Sequence, residues 1–120
     1  MSTIDRKSRI RDYKQNPPAA GVFLVRNTVS GRVLVGQAPN LPGMLNRQRF
    51  QLEMGSHPDS DLQSDWNALG EGCFEFEVLD ELDAEDRTPK ALSDELAALH
   101  QLWLDQLSGQ EFYPQSRRGV

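Results

Sequence analysis

The sequence predicts an α+β domain: a three-stranded antiparallel sheet flanked by helices. Two short apolar runs, Gly21–Arg26 and Arg32–Gly36, are joined by Asn27-Thr28-Val29-Ser30-Gly31, the pattern of a β-hairpin. Cys73-Phe74-Glu75-Phe76-Glu77-Val78-Leu79 alternates with period two, which marks a strand with one buried and one wet face. The helical segments around these strands are grouped, not interleaved one by one, so an antiparallel sheet covered by helices is favoured over a parallel βαβ sheet.

Each element has its own local reason. Ser8–Lys14 (SRIRDYK) is basic and helix-compatible, and it stops before Gln15-Asn16-Pro17-Pro18. In the hairpin, Gly31 is the position expected at positive φ. Pro39 and Pro42 punctuate the next loop, and Asn40 suits the cap of a helix from Pro42 or Gly43 to Met54, with Leu41, Leu45, Phe50 and Leu52 to bury. Gly55 ends that helix. Ser56–Asp59 is a loop, and Asp59 or Ser60 can cap a second helix whose Leu62, Trp66 and Leu69 share one stripe. Gly70–Gly72 break it before the third strand. Asp83–Pro89 is an acidic loop. The last helix, Pro89–Leu107, places Leu92, Leu96, Leu99, Trp103 and Leu107 on one face, and Gly109 closes it. The chain therefore divides into a basic helix with a Pro-rich linker (1–20), a compact domain (21–109) and a tail expected to be irregular (110–120).

Composition bounds the function. With 120 residues, the chain is one domain with a real core. The net charge is −5, unevenly spread: residues 1–26 carry six Lys/Arg against two Asp, and residues 61–96 carry twelve acids against two bases. Such a chain is repelled by nucleic acid at long range, while its basic end can still meet phosphates. No apolar run approaches a membrane span and no secretory signal is present, so no membrane partner is expected. The single Cys73 allows no internal disulfide and offers no metal-ligand spacing, which fits a cytoplasmic protein.

The combination of the GVF…LVG hairpin, the NLPGMLNRQRFQLEMGSH helix and loop, LQSDWNALGEGCFEFEVLDEL and LHQLWLDQL resembles the GIY-YIG nuclease superfamily, in its small single-domain branch. The resemblance covers roughly Gly21 to Leu107. It implies a nuclease-like site: two tyrosines of the triplets, an arginine on the next helix with a histidine or tyrosine one turn on, a metal-binding glutamate on a later helix and a final asparagine. Carried over by position, the tyrosines fall at Phe23 and Leu34, the arginine at Met44, the histidine at Gln48 and the glutamate at His100. The asparagine has no clear counterpart. The resemblance thus implies the scaffold with no catalytic group intact, and its leading functional reading is an inactive nucleic-acid-binding module.

The nucleic-acid-binding candidates are Arg26, Arg32, Arg47 and Arg49, with the basic N-terminal helix. No cofactor is expected of this reading. The alternative is an active endonuclease with a rearranged site, which requires Mg²⁺ or Mn²⁺ held by His100, a weak lone candidate, with a nearby carboxylate. Asp94 and Glu95 share its helix, and the other histidine, His57, falls in a distant loop. A third reading is a protein-interaction module whose acidic segment, Asp80–Asp86, docks a basic partner. Glu75 and Glu77 share a strand face and read as its wet side.

Overall fold

Buried strands, tight turns and capped helices fix the architecture in the computed structural model, which describes residues 18–85 and 87–118. The helix expected over Ser8–Lys14 lies outside the described residues. Strand β1 spans Ala20–Asn27 and β2 Val33–Ala38; they pair antiparallel from Gly21 opposite Ala38 to Arg26 opposite Val33. Asn27 makes the turn. Its Oδ1 accepts from the backbone N–H groups of Val29 and Ser30, and Gly31 takes the left-handed φ of 83°. β3, Phe74–Leu82, pairs antiparallel with the other side of β1, giving the order β2-β1-β3. Val22 faces Asp80 and Phe23 faces Val78, so Leu79 is left over as a bulge.

The sheet is covered on both faces. Helix α1 (Leu41–Met54) and α2 (Ser60–Leu69) pack on the face of Phe23, Val25 and Leu34. Helix α3 (Pro89–Gln106) sets Leu99 and Trp103 against Val22, Leu24, Val33 and Val35. This double cover explains why β1 reads as a continuous apolar run, not an alternating one. The caps are local: Asn40 accepts from Gly43 N–H, Asp59 from Leu62 N–H and Thr88 from Ala91 N–H. Among the described residues no helix is long and apolar enough to cross a membrane.

Four expectations change. Leu69, read on the buried stripe of its helix, and Val78, read on the buried face of its strand, are both exposed. Phe50 is 61% exposed, and Gln48 occupies the core position. Leu41, Leu45, Gln48 and Leu52 recur at helical spacing, whereas residue 50 lies about 200° around the helix from its neighbours at 48 and 52. The tail is also not irregular. Val33 N–H donates to the Glu111 carbonyl at 3.0 Å and Tyr113 N–H donates back to Val33 at 2.8 Å. Val33 thus bridges Phe112 in parallel sense, and Pro114–Arg118 follow as a 3₁₀ turn. Ser116 Oγ accepts from Val35 N–H at 3.0 Å. The closure uses only a few residues around a proline, too few to carry a period.

Tyr113 anchors this closure. It is fully buried, donates its hydroxyl to Asp65 at 2.6 Å and accepts from Asn27 Nδ2 at 3.1 Å. The Arg32 guanidinium lies 4.2 Å over its ring, ringed in turn by Asp61, Asp65 and Glu111 at 3.4, 3.8 and 3.5 Å. Burial, with the Asp65 bond, pushes the phenol pKa upward, so the hydroxyl keeps its proton throughout the stable range. Tyr113→Phe should lower stability by about 1–2 kcal/mol, because buried polar partners lose a bond. Tyr113→Ala should cost about 3–5 kcal/mol by adding a cavity. Urea denaturation measures both, and an unchanged midpoint for Tyr113→Ala would show that the tail contributes no closure.

Candidate functional site

The sequence-derived site positions separate into two groups. Phe23 and Leu34 are fully buried in one apolar cluster, with Met44 packed against it. Neither Phe23 nor Leu34 carries a polar atom, and Met44 has no guanidinium, so these three positions supply no group that can move a proton or neutralise a phosphate. The two triplet glycines have a packing reason. A Cβ on Gly21 would overlap the Asp80 carbonyl oxygen, and a Cβ on Gly36 would meet the Phe23 ring 2.5 Å away. The ring lies across Gly36, so neither position accepts a side chain.

Beside this cluster runs a buried polar chain that links α1 to the loop after it. Asp59 N–H donates to His57 Nδ1 at 2.9 Å, which leaves the proton on Nε2; this donates to Gln48 Oε1. Gln63 Oε1 accepts from His57 N–H, and its Nε2 donates to the Leu52 carbonyl, both at 3.0 Å. The loop histidine that the sequence sets far from the site is thereby brought onto Gln48. No periodicity connects a helix residue to a loop residue nine positions on, so only the fold reveals the pair. Met44, Arg47, Gln48, Gln51, Pro58 and Gln115 line a groove of about 210 Å³ here.

His100 lies elsewhere. It approaches from α3 and is 5% exposed. Its Nε2 donates to the Ser116 carbonyl at 2.7 Å, and its Nδ1 lies 2.9 Å from Gln37 Oε1. By strand alternation Gln37 lies on the opposite face of β2 from Leu34 and Gly36. The donor set does not suit a divalent ion: both ring nitrogens are engaged, and Asp94 and Glu95 are held by Lys90 and Arg87. Among the described residues no three His, Cys, Asp or Glu side chains gather as a metal site.

The four arginines do not converge. Arg26 pairs with Glu77 at 3.2 Å, and Arg32 belongs to the Tyr113 anchor. Arg49 lies 4.5 Å over the Phe76 ring. Arg47 is exposed and, among the described residues, has neither an ion-pair nor a ring partner. It shares the groove above and two further concavities along α1, one of about 560 Å³ that also includes Asn46, Arg49, Phe50 and Glu53. Glu75 is exposed on the wet face, and the acidic segment continues from β3 into the loop beyond it.

A central β1 between two antiparallel partners, a glycine-bearing hairpin and three covering helices define a GIY-YIG-like, nuclease-type fold. Among solved structures, the chain is similar to the catalytic domain of the homing endonuclease I-TevI, with 27% identity and a TM-score of 0.61 over 74% of this chain and 88% of that one. A variant of the intron endonuclease I-TevI catalytic domain, with one glutamate changed to alanine, matches at 27% identity and a TM-score of 0.61 over 75% and 84% of the two chains. No family model and no curated protein matches the sequence.

The glycines and the histidines both give testable consequences. Gly21→Ala should destabilise by about 1–3 kcal/mol through overpacking. Gly72→Ala, with open space around it, should have little effect on the thermal midpoint. For His57 and His100, burial lowers the pKa below the ordinary 6.5, partly opposed at His57 by the Asp59 charge and at His100 by its backbone hydrogen bonds. Below pH 6.5 the unfolded chain therefore binds more protons than the native one. Stability should be fully present above that pH and fall as pH drops from 6.5, by at most about 1.4 kcal/mol per unit per histidine. Urea melts between pH 8 and 5 measure this, and a flat profile would contradict it.

Proposed function

We propose that this chain is a GIY-YIG-fold module that binds nucleic acid and does not cleave it. The observation that carries the reading is Arg47. Among the described residues it is an unpaired cation at the junction of the concavities on α1, three residues beyond the position where the resembled family carries its arginine. Arg49 and Asn46 extend the same surface, and Glu53 is the only acid on the helix. A guanidinium without a carboxylate partner is available to phosphate oxygens, which it meets through paired N–H donors. Arg26 and Arg32 hold the fold together in this reading, and the interface centres on Arg47 and Arg49.

The absence of hydrolysis rests on chemistry. A phosphodiester needs an activated water and a charge opposite the developing oxyanion. Phe23 and Leu34 supply no hydroxyl, Met44 supplies no charge, and His100 spends both ring nitrogens on protein groups. Losses of this kind at one site act together, so no partial mechanism remains among them. The similar solved domain belongs to an endonuclease, which supports nucleic acid as the ligand class.

Fluorescence anisotropy with labelled duplex, single-stranded and branched DNA across a salt series tests the binding. Affinity should fall steeply with salt, and Arg47→Ala should weaken binding to all sequences alike and reduce the salt slope by about 1. Absence of binding at low salt would remove the reading. Incubating the same DNAs with Mg²⁺ or Mn²⁺ should leave them intact. Cleavage that His100→Ala abolishes would instead establish a rearranged active site.

A further inference from the structure

The two edges of the sheet are treated differently. The outer edge of β2 is closed by residues 111–116 through Val33 and Val35. The outer edge of β3 has no strand partner among the described residues, although β3 is the longest strand, at nine residues. Such an edge presents a row of backbone donors and acceptors able to take up another strand. The bulge at Leu79 bends it, which leaves Phe74–Val78 as the regular stretch. Within that stretch Glu75 and Glu77 point to one face and Phe76 and Val78 to the other, with Glu75 exposed and Val78 44% exposed.

We propose that the Phe74–Val78 edge takes up an extended segment of a partner protein, basic on one face and aliphatic on the other, as a fourth strand. Charge selects the occupant. β3 carries Glu75, Glu77, Asp80 and Glu81 and no lysine or arginine, and the loop beyond adds Asp83 and Glu85. Arg26 behind it is neutralised by Glu77, and Arg49 lies on the opposite face, over Phe76. A second copy of the same edge would set these carboxylates against an identical row, and like charges directly opposite are destabilising. The acids that prevent self-pairing therefore favour a strand whose alternate residues are lysine or arginine. Its aliphatic residues would lie beside Phe76 and Val78. Main-chain bonds supply affinity in this mode of recognition, and the alternate side chains supply selectivity. The surface is distinct from the Arg47 face, so this inference stands apart from the nucleic-acid reading.

The test uses the full chain and a labelled eight-residue peptide of alternating lysine and valine, followed by anisotropy. The same peptide N-methylated at alternate residues keeps every charge and cannot complete the ladder. The expected result is saturable binding of the first peptide, weakened roughly tenfold or more by N-methylation. Glu75→Lys, a change at an exposed position within the stretch, should weaken it comparably, with circular dichroism confirming the fold. Amide hydrogen exchange should slow within Phe74–Val78 when the peptide is bound. Absence of binding at low salt overturns the proposal. Equal binding of the N-methylated peptide also overturns it, because attraction would then be charge alone.

Discussion

The fold depends on one buried contact set, in which Tyr113 is held between Asp65, Asn27 and the Arg32 guanidinium. Without it β2 would be a bare edge with its apolar face half covered. The contact joins the hairpin turn, α2 and the C-terminal segment, three regions distant in sequence. Around it follow the Val33 bridge, the Ser116 bonds to Val35 and His100, and the Gln115 wall of the groove beside Gln48. Arg32 is thus consumed by structure. A guanidinium enclosed by three carboxylates meets no field that would draw it to a phosphate.

The fold was legible in the sequence wherever its signals are local. The hairpin announces itself through Asn27 and Gly31, β3 through its alternation, and the helices through the caps Asn40 and Asp59. Three features were not legible. Phe50 reads as core by composition, and only its angular position shows that it faces water. The tail reads as irregular because one bridge and one buried ring leave no period. The partnership of Gln48 with His57 depends on how a loop returns to a helix. For the site, the missing hydroxyls at Phe23 and Leu34 are plain from residue identity, whereas the different employment of four similar arginines is decided by neighbours such as Glu77, Asp65 and Phe76.

The triplet glycines show which part of a motif belongs to packing. Gly21 is needed because the β3 backbone passes against it, and Gly36 because the Phe23 ring covers it. Both requirements belong to the sheet and not to any reaction. Packing alone therefore requires both glycines, whatever residues stand between them. In such a scaffold the glycines report the fold.

The closure of β2 by residues 111–116 also has a consequence in time. β1 and β2 emerge from the ribosome before β3, which follows some forty residues later, and the segment that covers the β2 edge follows α3. Non-local pairings form only after the intervening chain is available. Until that segment follows, the hairpin carries an edge on β2 that the folded molecule closes, the situation in which nascent chains pair wrongly or recruit chaperones. The arrival of Tyr113 is therefore the event that closes the β2 edge.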